Sequence, residues 1–301
     1  VRLALKIDVD TLRGTREGVP RLADILDRHG AGATFLFSLG PDHTGRAIRR
    51  VFRPGFMQKV SRTSVVEHYG VKQLLYGTLL PGPDIGRRCA DVMRAIAGRG
   101  FEVGIHTWDH VNWQDHVQDR DEAWTRHEMQ RAVERFVEIF GISPRTHGAA
   151  GWQMNAHAYR LEAELGFDYC SDTRGSAPFL PVCDGVVVAC PQLPTTLPTL
   201  DELIGFDGME PEAVADHLLQ LTSSAPADHV YTLHAELEGM KLAPIFERLL
   251  VSWKRQGYAL TSTRDYFATF DVSRLPRHAV SSGDVPGRSG TLAVQGAAVP
   301  V

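Results

Sequence analysis

The chain has no apolar run approaching the roughly 20 residues that span a bilayer, no CxxC pair among its four cysteines, and no surplus of basic residues, its formal net charge being -4. The first absence excludes a transmembrane helix. The second argues against a zinc ribbon or a disulfide framework and makes Cys89, Cys170, Cys183 and Cys190 reduced thiols of a cytoplasmic protein. The third argues against nonspecific nucleic-acid binding, which needs Lys and Arg massed on one face. The opening VRLALKIDVD runs into acidic residues rather than a cleavage site, so no export signal is expected.

What is present is a soluble composition, 43% hydrophobic and 23% charged, over 301 residues. That length can bury one large core. Short β-rich runs recur at 3–8, 33–39, 101–106, 146–151 (weak), 169–172, 186–190, 230–235 and 258–262. Between them lie segments of helical periodicity, such as Met129, Ala132, Val133, Phe136, Val137 and Phe140 before Gly141. Strand followed by helix, repeated, predicts an α/β fold with a parallel sheet, best counted as a distorted (β/α) barrel of seven to eight strands over residues 1–271. A basic insertion at about 41–90 and a C-terminal extension at 272–301, with a hairpin around DVPG and then a loose tail, break the pattern.

In such barrels the carboxyl ends of the strands open onto one face. Asp8 and Asp10, His106 and His110, Asp172, and His234 all fall at expected strand ends. If the chain turns helically after His106, the i and i+4 imidazoles of HTWDH can reach one cation, with Asp10 as third ligand and open positions for water and substrate. An isolated HxxxH is more often a core and a surface histidine; DVD and TLH at other strand ends favour the metal. Asp8 shares a strand face with Asp10 and suits a general base, although pairing with Lys6 or Arg13 would also explain it. His234 suits the general acid, with Asp172 orienting it, unless Asp172 is an N-cap or the partner of Arg174. Two nitrogens and a carboxylate suit Zn, with Mn, Co or Fe as alternatives.

IDVD, HTWDH and TLH, in this order on βα repeats, resemble the polysaccharide deacetylases, the NodB-like carbohydrate esterases. The resemblance implies a distorted barrel, a divalent metal on Asp10, His106 and His110, Asp8 as base and His234 as acid. Longer stretches, among them IDVDTLRGTREGVPRL, SDTRGSAPF, LPTTLPTLDELIG and YTLHAELEG, resemble members that deformylate an aminosugar carried on undecaprenyl phosphate. The family's arginine after the fourth strand is missing from HGAAGW at 147–152, and Arg13, Arg16 or Arg174 is expected to take its electrostatic role. Arg13, Trp108 and Trp152 are expected to contact substrate, the two indoles by limiting the acyl pocket.

Residues 42–88 carry nine Lys or Arg against three acids, interleaved with apolar side chains. Arg49, Arg50 and Arg53 are therefore expected at an anionic membrane surface, although a solvated helical hairpin would have the same composition. The competing functions are a deacetylase acting on a polymer such as peptidoglycan and a noncatalytic lipid- or sugar-binding protein.

Overall fold

The computed structural model describes residues 1–47, 75–224 and 226–300; Arg49, Arg50 and Arg53 lie outside them. Strand β1 (Arg2–Val9) is buried from Leu3 onward, as expected of a parallel strand covered on both faces. It lies beside β2 (Thr34–Ser38) and β8 (His229–His234), and β3 (Glu102–Thr107), β4 (Thr146–His147) and β5 (Tyr169–Cys170) continue outward from β2 in the order β5-β4-β3-β2-β1-β8. The short β9 (Ala259–Thr261) pairs with the start of β1, and all these pairings are parallel.

Helices cover the sheet. Helix α1 (Val19–Arg28) buries Val19, Leu22, Ala23 and Leu26, the stripe its spacing predicts. Helix α2 (Ile85–Gly98) is capped by Asp84, whose side chain accepts from Arg87 N. It precedes β3 as an ordinary sheet-covering helix, so the segment expected as insertion to about 90 gives way to regular βα structure at Ile85. Helix α3 (His110–His116) follows β3, and α4 (Glu122–Phe140) ends at Gly141, whose φ of 70° gives the left-handed stop that glycine favours.

The sheet curls as an incompletely closed barrel. Its two end strands, β5 and β8, are joined by the extended segment 191–196, where Leu193 N donates to Cys170 O at 2.8 Å and Thr196 N to Val230 O at 3.0 Å. The expected barrel strand at 186–190 is a correction. Val186–Val187 (β7) folds back on Leu180–Cys183 (β6) in a separate antiparallel hairpin, because Asp184 and Gly185 both take positive φ, 52° and 77°, the two-residue turn that Asp-Gly favours.

The C-terminal strands β10 (Arg277–Asp284) and β11 (Thr291–Ala298) form an antiparallel hairpin that joins β6 in this second sheet. Pairing continues to Ala298, so the part of the expected loose tail up to that residue is strand. The hairpin tip is seated on the barrel: Gly287 has φ 81°, and a Cβ there would lie 2.0 Å from Glu202 O.

Candidate metal centre

Strand alternation puts Lys6, Asp8 and Asp10 on one face of β1. Asp8 is level with His234 on β8 in the strand register, and His106 arrives on β3. His110 does not come from a helical turn begun at His106. The strand runs to Thr107, Asp109 caps α3 by accepting from Asn112 N at 3.1 Å, and His110 is the first helical residue. The result still brings the imidazoles together, with ring centroids 5.2 Å apart. His43 Nδ1, 2.6 Å from Asp109 Oδ2, ties the loop after β2 to that turn.

One ligand atom each of Asp10, His106 and His110 lies within 4.8 Å of the others. Asp10 Oδ1 is 3.2 Å from His106 Nε2, and Asp10 Oδ2 is 3.5 Å from His110 Nε2. His106 Nδ1–H donates to Gly148 O at 2.6 Å, which leaves the lone pair on Nε2. That lone pair faces a carboxylate oxygen in a buried site, and neither His106 Nε2 nor Asp10 Oδ1 has a hydrogen-bond partner among the described residues. Two facing acceptors are unfavourable unless a cation lies between them, and a backbone carbonyl on the other ring nitrogen is how metal-binding histidines are oriented. The residues present fit a divalent ion. Burial alone would raise the Asp10 carboxyl, but the imidazoles of His110, His106 and His234 hold it well below the usual carboxylate range.

Asp8 is buried, with Oδ2 3.5 Å from Lys6 Nζ. Lys6 is itself fully buried; its ammonium donates to Ser171 O at 2.8 Å and lies 5.3 Å from the centroid of Trp152. The cation beside Asp8 is thus Lys6, not one of the three arginines expected. Arg13 pairs with Glu17 at 3.1 Å, Arg16 interacts with the Cys89 thiol, and Arg174 pairs with Glu202 and stacks 5.1 Å from Trp152. A Lys in an otherwise apolar strand, two residues before an Asp, was the available signal.

His234 Nδ1 faces Asp201 Oδ1 at 3.7 Å, and Arg288 Nη1, from the C-terminal hairpin, holds Asp201 Oδ2 at 3.2 Å. Burial alone would lower the His234 imidazole, but Asp201, Asp10, Asp8 and Glu238 more than offset it and raise it above its ordinary value. The expected orienting role of Asp172 is corrected. Asp172 lies at the other end of the sheet, in a buried cluster where His147 Nδ1 is 2.9 Å from both Asp172 Oδ1 and Glu162 Oε1. It also accepts from Ala149 N at 2.7 Å.

Trp152 stands next to the site, with φ 53° after Gly151 at 63°. Trp108 does not line it. Its ring has the guanidiniums of Arg131 and Arg135 4.3 and 5.2 Å from its centroid and packs against Gly40.

A candidate three-ligand centre, with a buried carboxylate and a further imidazole beside it on one barrel rim, is the arrangement expected of a hydrolase site. The polysaccharide deacetylase family profile matches residues 3–170, and the chain belongs to that family of amide hydrolases. It is 34% identical over 294 residues, 98% of this chain and 94% of the relative, to the probable 4-deoxy-4-formamido-L-arabinose-phosphoundecaprenol deformylase ArnD of Shewanella sediminis (strain HAW-EB3). It is 30% identical to the protein of the same name from Wigglesworthia glossinidia brevipalpis, over 94% of this chain and 98% of that one. In fold it is similar to the crystal structure of a protein named as a putative polysaccharide deacetylase from Mycobacterium smegmatis, with a TM-score of 0.64 at 19% identity over 94% of each chain.

Proposed function

We propose that the chain is a deformylase that removes the N-formyl group from 4-deoxy-4-formamido-L-arabinose carried on undecaprenyl phosphate, a step of lipid A modification. The observation that carries this reading is the end-to-end likeness to deformylases of that name, together with the clustering of Asp8, Asp10, His106, His110 and His234 on one rim.

A divalent ion held by Asp10, His106 and His110 would polarise the formyl oxygen and acidify a water molecule. Asp8 takes the proton of the attacking water, and Lys6 balances its charge inside the barrel. His234, whose imidazole the surrounding carboxylates raise above its ordinary value, donates to the departing amine nitrogen so that it leaves neutral. Asp201, held by Arg288, orients that imidazole.

The enzyme works at the cytoplasmic face of the membrane, where Arg49, Arg50 and Arg53 meet anionic lipid. The test is formate release from a formamido-arabinose phospholipid by metal-loaded protein, run beside its acetamido analogue and an N-acetyl oligosaccharide. Formate from the first alone is expected; turnover of the oligosaccharide instead would make the chain a polymer deacetylase, and turnover of none a binding protein.

A further inference from the structure

Each histidine of the candidate centre has a support of its own. His106 gives its Nδ1 proton to Gly148 O, and His110 opens a helix that Asp109 caps and His43 ties to the loop after β2. Asp10 stands one residue past the end of β1, and a side chain holds its amide. Glu236 Oε1 accepts from Asp10 N at 3.1 Å, from Thr11 N at 2.9 Å and from Thr11 Oγ1 at 2.7 Å. Glu236 is only 2% exposed, and a carboxyl so buried needs donors around it. The three donors to Oε1 all belong to the chain that carries Asp10.

Glu236 also lies two residues past His234, in a loop with little freedom. Ala235 N donates to Asp8 O at 3.0 Å, and Glu238 Oε2 accepts from His234 N at 3.0 Å. Glycines let this loop close on the one after β1: a Cβ on Gly14 would lie 1.9 Å from Glu236 Oε1, and one on Gly18 would lie 2.0 Å from Ala235 O. One buried carboxyl therefore ties the loop of the acid to the loop of the ligand.

A carboxyl that only closed the turn after β1 would need the two donors of Thr11 alone. The bond to Asp10 N does more, because it fixes the backbone from which the ligand carboxylate projects. A metal centre tolerates an error of only about 0.5 Å there.

We propose that Glu236 is a positioning residue of the metal centre: by accepting from the Asp10 amide it sets where the Asp10 carboxylate stands relative to His106, His110 and the acid His234. The inference rests on the reading above only in that Asp10, His106 and His110 hold a divalent ion. It does not depend on the substrate.

The test is Zn2+ affinity, measured by competition with a chelator, in wild type, Glu236→Ala, Glu236→Gln, Gly14→Ala and Gly32→Ala. Alanine at 236 removes the acceptor, and glutamine keeps an oxygen for the three donors. Gly14→Ala keeps the carboxyl but crowds Oε1. Gly32→Ala is the control for tight packing alone, since its Cβ would lie 2.9 Å from Ser262 N, just before the amino-terminal end of β2. Glu236→Ala and Gly14→Ala should bind Zn2+ about 10- to 100-fold more weakly, the usual effect of losing a group that orients a ligand. Glu236→Gln and Gly32→Ala should bind it as wild type does. The visible absorption of the Co2+-loaded protein, which reports ligand geometry, should change in Glu236→Ala and Gly14→Ala only.

Wild-type affinity in Glu236→Ala overturns the inference. So does a Glu236→Gln variant as weak as Glu236→Ala, which would assign the effect to charge, and a Gly32→Ala variant as weak as Gly14→Ala, which would assign it to general destabilisation. If Glu236→Ala does not fold, the contrast between Gly14→Ala and Gly32→Ala decides. No substrate enters these titrations, so the result stands whether or not the chain releases formate. A wild type that takes up no Zn2+ and no Co2+ removes the centre itself, and this inference with it.

Discussion

Two clusters of similar residue types sit on neighbouring parts of this barrel and are hydrogen-bonded differently. Asp10, His106 and His110 form one; His147, Glu162, Cys170 and Asp172 form the other, and in each the ligand atoms lie within 4.8 Å of one another. In the first, a histidine lone pair and a carboxylate oxygen face each other without a partner. In the second the hydrogen bonds close: His147 bridges both acids, and Gln192 Nε2 donates to Glu162 Oε2 at 3.1 Å and to Asp172 Oδ2 at 2.8 Å. Residue type and proximity are therefore poor guides to a metal. What separates the centre from the scaffold is the set of polar atoms left unsatisfied.

The comparison can be broken or sharpened by substitution. Asp8→Asn, in the reactive cluster's neighbourhood, should lower kcat by about 10^2- to 10^4-fold with the metal retained, since it removes the proton acceptor alone. Full activity would remove Asp8 from the mechanism. Asp172→Ala, in the closed cluster, leaves Ala149 N without its acceptor and His147 with Glu162 as its one remaining acid, and should cost about 3–5 kcal/mol of unfolding free energy, read by urea denaturation. A cost under about 1 kcal/mol, the level of an exposed pair, would mean that the network is not structural.

The closed cluster also predicts a pH dependence. Burial alone would lower the His147 imidazole, but Asp172 and Glu162 raise it to about 9 from an ordinary 6.5. Its folded value exceeds its unfolded one, so its contribution is complete below about 6.5 and is lost as pH rises through about 9; the difference corresponds to about 3 kcal/mol. Unfolding free energy should fall across that window in wild type and much less in His147→Gln. Equal slopes would contradict the assignment.

The smallest effect links the clusters. A Cβ on Gly148 would lie 2.4 Å from Leu36 Cδ1 and 3.0 Å from Lys6 Cε, and Gly148 O fixes the His106 tautomer. Gly148→Ala should cost about 1–3 kcal/mol of stability and weaken metal binding. Unaltered metal affinity would show that the carbonyl does not orient His106.

Much of this was legible because parallel strands announce themselves as apolar runs, and polar residues at their carboxyl ends must share one rim. That places Asp8, Asp10, His106 and His234 without any coordinates. Lys6 was legible as a partner of Asp8, since alternation sets both on one face, but the electrostatic role of the missing arginine was expected of Arg13, Arg16 or Arg174 and not of a lysine inside a strand. Asp201 was not visible because it lies on a single helical turn, Leu200–Leu203, after 191–196, the segment that fills the gap between β5 and β8, and not at the end of a strand. The same gap explains why Asp172, on the far side of the opening, meets His147 rather than His234. The hairpin turn at Asp184 and Gly185 was readable as turn chemistry, and it, rather than the apolar run that follows, decided the fate of 186–190.

The central claim is that the cluster with unsatisfied atoms is the one that takes the metal. Metal analysis of the purified wild-type chain, His110→Ala and His147→Gln tests it most directly. One divalent ion per chain in wild type and in His147→Gln, and none in His110→Ala, is predicted; an ion retained by His110→Ala and lost from His147→Gln would place the metal in the other cluster and contradict the account.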